Sequence, residues 1–375
     1  MPDKFLRLVE LVRFELGLSK DIPPLEAEEI QVWNLARQHK VATLLSPHII
    51  LANRDPQLVN EARYVWQLAA LREEYFSTKC DELLQFLKCN DIQAFPLKGV
   101  ALVKKAYPKK GQRPFRDVDL LLNPSDLFKA DQLMLEKGYC RIRTTGPLPR
   151  ALKTRGDMLE AAAMGIDAVS YQKGELYVEL HTVIVPPVLG SFSLEHVWKS
   201  KGGFSPEDFL IHLCFHSTRH HFLYGLRHLV DVAVWSQKKK PDFRLIQDKL
   251  EFCGLTFLAW PTWKLAYELF PEVVKSPCSI KNFFLNRYTD SVRRHFALIP
   301  IYAIKLAGSP IPLVMMRPNP LKSISLVVLG NKKLAIYQIG ESQNGLRRIA
   351  WKVARPFGLL WRHAPILWKW LAFQF

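Results

Sequence analysis

The sequence predicts an α+β protein. A small mixed-sheet core at residues 91–190 is set between helical regions at 1–90 and 191–300, with a separate C-terminal segment at 301–375. Three observations predict it. Apolar residues recur at helical spacing as far as about residue 90. The spacing then shortens to strand-like runs interrupted by turns, and helical periodicity returns from Pro206.

Taken in order, Leu6, Leu8, Val9, Leu11 and Val12 suit one amphipathic helix, and a longer helical pattern runs from Leu58 to Leu87. Pro23, Pro24 and the Asn53–Pro56 stretch break it. Ile92–Leu97 reads as a short apolar strand, and Lys98–Gly99 opens a helix ending near Tyr107. Val118–Leu122 reads as a buried strand. Ser125 is the expected N-cap of a helix stopping at Gly138, and a further strand begins at Tyr139. Ala168–Gln172 and Glu175–His181 flank Lys173–Gly174 as a hairpin. After Pro206, the residues Phe209, His212, Leu213 and His216 fall on one helical face, followed by Leu226, Leu229, Val230 and Val234.

The totals describe a folded chain with a strong basic excess. Of its 375 residues, 49% are hydrophobic and 23% charged, which excludes a disordered chain. The net charge of +17 favours nucleotides, nucleic acid or acidic membrane surfaces, or else serves general solubility. The six cysteines form no C-x-x-C pair and no zinc-ligand spacing, and they read as small buried apolar residues in a reducing compartment. The N-terminus lacks the uninterrupted apolar run of an export signal. The apolar stretch Leu298–Met316 is broken by Lys305, Gly308 and three prolines, so a cytoplasmic location is expected.

The segment RPFRDVDLLL carries the chemistry. Alternate residues of a strand share a face, so Asp117 and Asp119 point one way and Val118 the other. Two carboxylates roughly 6–7 Å apart on one face repel unless a cation lies between them. Magnesium suits such a pair, being hard, oxygen-seeking and commonly shared with substrate phosphates. A third acid between apolar residues, Glu179, follows in YVELH.

The ordered set LKGVALVKKAY, RPFRDVDLLL, GY, VELH, a helix with L-x-x-H-x-x-x-H and a downstream LVDVA resembles the uncharacterised bacterial nucleotidyltransferase-like family, a branch of the polymerase-β-type fold group. The resemblance covers roughly residues 80–240. It implies that a Gly-containing turn holds a triphosphate, that Asp117 and Asp119 are paired ligands of Mg²⁺ or Mn²⁺, and that Glu179 is the third catalytic acid. Gly99 would let backbone amides approach phosphates. The fold group's usual Gly-Ser or Gly-Gly is Lys98–Gly99 here, and the spacing from Gly99 to Asp117 is longer than in its compact members. Lys98 would replace the serine contact with a direct charge.

The implied activity is transfer of a nucleoside monophosphate from an NTP to a hydroxyl or phosphate acceptor, with release of pyrophosphate. The alternative is a non-catalytic binding protein of the same fold. Arg113 and Arg116, beside the acids, bind phosphate or neutralise the carboxylates. His212, His216 and His220 share a helical face, either as a packing face of hydrogen-bonded histidines or as a transition-metal site. His181 is expected to orient a neighbour rather than act as a base. Residues 341–375 interleave six basic residues with four tryptophans. They pack on the body, lie peripherally on an anionic membrane, or bind nucleic acid.

Overall fold

The computed structural model describes residues 3–20, 29–52, 55–142, 159, 162–163, 165, 168–185, 189–199, 203–220, 222–280 and 282–295. The apolar stretch 298–316 and the basic, tryptophan-rich segment 341–375 lie outside the described residues. No described helix is long and apolar enough to cross a membrane.

Four helices come first: α1 (Asp3–Glu15), α2 (Glu29–Gln38), α3 (Ala42–Ala52) and α4 (Pro56–Cys89). In α1 the expected face is buried at Leu8, Val9, Leu11 and Val12, while Leu6 is exposed. The 34-residue α4 starts at Asp55, whose carboxylate accepts from the Gln57 amide, with Pro56 in the first turn where its missing N–H costs nothing.

The chain then alternates through β1 (Ala94–Pro96), α5 (Lys98–Lys105), β2 (Asp117–Leu122), α6 (Leu127–Glu136), β3 (Cys140–Ile142), β4 (Val169–Lys173) and β5 (Leu176–His181). The five strands form one mixed sheet in the order β1-β2-β5-β4-β3. Only β2 and β5 pair in parallel, and the other neighbours are antiparallel. The remaining helices are α7 (Glu195–Lys199), α8 (Pro206–Arg219), α9 (Leu226–Lys239), α10 (Phe243–Phe252), α11 (Thr256–Leu269) and α12 (Phe283–His295). This is the α+β arrangement expected, a mixed sheet flanked by helices.

Three local expectations need correction. Ser125 does not cap α6. A short 3-10 turn at Pro124–Asp126 intervenes, and Asn123 caps it by accepting from the Ser125 amide and hydroxyl. The hairpin turn is Gly174–Glu175, one residue later, because Lys173 still pairs with Leu176 and Gly174 supplies the positive φ of 57°. The cysteines are free as expected, but Cys89 and Cys140 are exposed rather than buried.

The two faces of the sheet meet different cores. Val118, Leu120 and Leu122 of β2, with Val178 and Leu180 of β5, pack against Phe76, Leu83 and Leu87 of α4 and Met134 of α6. On the other side Leu121, Leu97 and Leu102 join a larger helical core. That core combines Phe5, Leu8 and Trp33 from the first helices with Phe209, Leu229 and Trp260 from the later ones. The chain segments before and after the sheet therefore bury their apolar faces together, and they enclose the sheet face that carries the acids.

Candidate active site

Register places the acids. Asp119 lies opposite Glu179 in the parallel β2–β5 pair, Asp117 opposite Tyr177, and Leu121 opposite His181. Period-two alternation therefore puts Asp117, Asp119, Glu179 and His181 on one face and the Val118–Val178 pair on the other.

The turn after β1 is tied to the same strand. Leu97 donates its amide to the Asp119 carbonyl at 2.9 Å, and Lys98 follows with a φ of 44° at the start of α5. A non-glycine residue held in that region is strained, and strain of this kind clusters at functional sites. It sends the Lys98 ammonium to Asp119 Oδ1 at 2.6 Å. His181 Nε2 lies 2.9 Å from the same oxygen and 3.3 Å from Glu179 Oε2. Both neighbours are acceptors, so Nε2 carries the proton and donates.

The electrostatics follow from burial. Asp119 is 1% exposed. Burial alone would raise its carboxyl, but the Lys98 ammonium, followed by the bond from His181, holds it well below the ordinary range. Burial also works against the charged forms of Lys98 and His181, and in each case the carboxylates outweigh it and raise the group above its usual value. Asp117 behaves oppositely: burial first, then the neighbouring Asp119 charge, push it up. The face thus holds more negative charge than Lys98 and His181 together relieve.

The same face opens on a cavity of about 790 Å³, lined by Lys98, Gly99, Arg113, Arg116, Asp117, Asp119 and Glu179. The described residues singled out from the sequence around the acids therefore border one space, though in different ways. Gly99 is buried, and a Cβ there would lie 2.8 Å from Phe115 Cβ and 3.0 Å from Arg113 Nη1, so close packing of α5 on the following loop requires glycine. Arg113 makes its hydrogen bonds away from the paired aspartates, although its charge still acts on Asp117. Its Nε and Nη2 donate in a fork to Asp231 of α9, each at 2.9 Å, and Tyr107 adds a hydroxyl bond to Asp231 at 2.8 Å. Arg116 is exposed at the rim.

The three histidines follow the packing reading in part. His212 and His216 lie with ring centroids 6.3 Å apart, and His216 and His220 4.5 Å apart. However, neither ring nitrogen of the buried His212 has a hydrogen-bond partner. Among the described residues, the ligand-type atoms that converge are those of Asp119, Glu179 and His181, all within 4.8 Å of one another.

Asp231 lies within the string LVDVA, but nothing in that string marks it as the partner of Arg113. Tyr224 and Arg227 also line the cavity, from a position remote in sequence that carries no local signal. The one available signal for His181 was its place two residues after Glu179, on the same strand face.

The donor set fits a hard divalent cation. Carboxylate oxygens from adjacent strands share a buried face, and the surplus charge that raises Asp117 is what such an ion would relieve. No curated protein and no solved structure matches the chain. The family described as uncharacterised nucleotidyltransferase matches residues 26–271, which takes in α2 to α4, the whole sheet and the helical cover through α11. With that span matched and the paired acids set beside the glycine-containing turn, this chain belongs to the uncharacterised nucleotidyltransferase family.

Proposed function

We propose that the chain is a Mg²⁺-dependent nucleotidyltransferase that moves a nucleoside monophosphate from an NTP to a hydroxyl or phosphate acceptor. The observation that carries this is the in-register placement of Asp119 and Glu179 on parallel neighbours, with Asp117 on the same face, opening on a cavity rich in Lys and Arg. Asp117, Asp119 and Glu179 would hold the ion, and Mn²⁺ would fit the same oxygens. When bound, it supplies charge stabilisation to the triphosphate.

The chain's own groups do the rest. His181 donates to Asp119 and Glu179 and fixes their orientation. Lys98 balances Asp119 and stands where a phosphate could take over its charge. An acceptor oxygen attacks the α-phosphorus, the bond to the bridging oxygen breaks, and pyrophosphate leaves with that electron pair. The acceptor proton passes to one of these carboxylates. Positioning and charge stabilisation carry such a reaction without a covalent intermediate.

The test is transfer of label from α-phosphate-labelled NTPs into components of a host lysate, with Mg²⁺ or Mn²⁺ present. Asp119→Asn should reduce the rate by about 10³-fold, the scale on which lost charge stabilisation at a phosphoryl centre acts. If the wild type transfers no label and shows no metal-dependent nucleotide binding by calorimetry, the catalytic reading falls and a non-catalytic binding protein replaces it.

A further inference from the structure

The cavity has a second wall to which the proposed reaction gives no role. α8, α9 and the turn between them supply it through His212, His216, Tyr224 and Arg227. The rings follow one another: His212 to His216 at 6.3 Å, His216 to His228 at 5.4 Å, and His228 to Tyr224 at 5.3 Å. The Arg227 guanidinium lies 4.1 Å over the Tyr224 ring. Lys40 and Arg72 line the same space from the first helical region.

Two groups on this wall are chemically incomplete. Arg227 makes no ion pair among the described residues. Its Nη1 donates to the Pro114 carbonyl at 3.3 Å, and its Nε is buried with no acceptor. Burial first, then the like charge of Arg113, hold its guanidinium below the ordinary value. His212 is 4% exposed, and both of its ring nitrogens are buried without a partner. A half-buried guanidinium without an ion pair, which feels Asp231 only at a distance, and a buried ring without hydrogen bonds each cost free energy.

The fold holds Arg227 in place regardless. The Leu226 amide donates to His39 Nδ1 at 3.1 Å and the Arg227 amide to the His39 carbonyl at 3.3 Å. Gly225, at a φ of 56°, lets the chain pass against His39, where a Cβ would overlap the ring.

We propose that this helical wall is an anion subsite that takes a phosphate group of a substrate, with the Arg227 guanidinium as its anchor and His212 completing the hydrogen bonds. The proposal rests on the nucleotide reading for its choice of phosphate. Lys40 and Arg72 beside Arg227 suit a multiply charged anion better than a single carboxylate. Two sources supply that chemistry: the terminal phosphates of the NTP, or a phosphate carried by the acceptor.

The probe is inorganic pyrophosphate, titrated calorimetrically into the full chain in the presence of a metal chelator. The wild type should bind it, Asp119→Asn should bind it at least as well, and Arg227→Gln should bind at least about tenfold more weakly. Arg227→Lys, which keeps the charge and loses the fork, should fall between. His212→Phe, which keeps the packing and loses the nitrogens, should weaken binding several-fold. Circular dichroism establishes that each variant is folded, and Arg227→Lys and His212→Phe decide the matter if Arg227→Gln is not.

Pyrophosphate binding that is absent from the wild type, lost in Asp119→Asn, or unchanged in the folded Arg227 and His212 variants would overturn the subsite. NTP titration of pyrophosphate-saturated protein separates the sources: competition assigns the subsite to the nucleotide's terminal phosphates, and independent binding assigns it to the acceptor. Arg227-dependent pyrophosphate binding with neither label transfer nor metal-dependent nucleotide binding would reject the nucleotidyltransferase reading and leave the subsite standing.

Discussion

The carboxylate face and the helical wall of the cavity handle buried charge in opposite ways. On the face, two of the three acids have an answer from this chain, since Lys98 and His181 meet Asp119 and His181 also meets Glu179, while the charge left over raises Asp117. Nearby, Arg113 is matched by both oxygens of Asp231. On the wall, Arg227 has no ion pair among the described residues, and His212 has no hydrogen bond on either nitrogen. Arg113 and Arg227 thus border the same cavity with one paired internally and one not. The difference separates a group that holds the fold together from a group poised for something that arrives.

Converting the first kind of arginine into the second gives the largest effect. Asp231→Leu leaves the 6%-exposed Arg113 without its counter-ion and should cost about 3–5 kcal/mol, read by urea unfolding. Replacing both partners, Arg113→Met with Asp231→Leu, should recover most of that loss. Arg227→Gln, which removes no ion pair, should stay within about 1 kcal/mol of the wild type. Equal losses from Asp231→Leu and Arg227→Gln would erase the distinction between the two arginines.

A second substitution sharpens the contrast at the carboxylate face. Lys98 acts there as an internal cation, so Lys98→Ala should destabilise the metal-free protein by about 1.5–3 kcal/mol, the range for a hydrogen bond to a charged group. Added Mg²⁺ should then raise the melting temperature of Lys98→Ala more than that of the wild type, because the ion answers the charge that Lys98 no longer does. Equal Mg²⁺ shifts in the two proteins would show that Lys98 and the ion do not share a function.

What the sequence disclosed follows the range of the interactions. Asp117, Asp119 and Glu179 were legible because strand alternation is local, and two short apolar strings reveal their own faces. The order of helices and strands was legible for the same reason. The parallel pairing that sets Asp119 beside Glu179 joins strands about sixty residues apart and leaves no local mark. The same holds for the Arg113–Asp231 fork, separated by 118 positions. Gly99 is expected from the resemblance to let backbone amides approach phosphates, and the close approach that the structure shows there is to Phe115 and Arg113. Arg227 and Tyr224 carried no signal, because a lone arginine in a helical pattern reads as a solvated surface residue until its packing is known.

The smallest effect separates the two regions by pH. Burial holds the His212 imidazole down to about 3 from its ordinary 6.5, and it pushes His216 and His228 well below that value too. Between pH 6.5 and about 3 the unfolded chain binds a proton at His212 that the folded chain refuses, so stability must fall as pH falls through this window. The slope is about 1.4 kcal/mol per pH unit for each such group. Asp119, held low by Lys98, also loses its stabilisation as pH falls, but only below about 4, where the unfolded carboxyl begins to protonate. His181, held high, has the opposite sign: its contribution is complete below about 6.5 and fades only as pH rises. The interval from pH 6.5 to 4 therefore distinguishes the helical wall from these two groups of the carboxylate face. His212→Leu should lose less stability than the wild type between pH 7 and pH 5, by up to about 2 kcal/mol in parallel urea titrations. Identical losses in the two proteins would mean that His212 reaches solvent or a partner in the folded state, and the wall would then lack the unsatisfied ring that sets it apart from the carboxylate face.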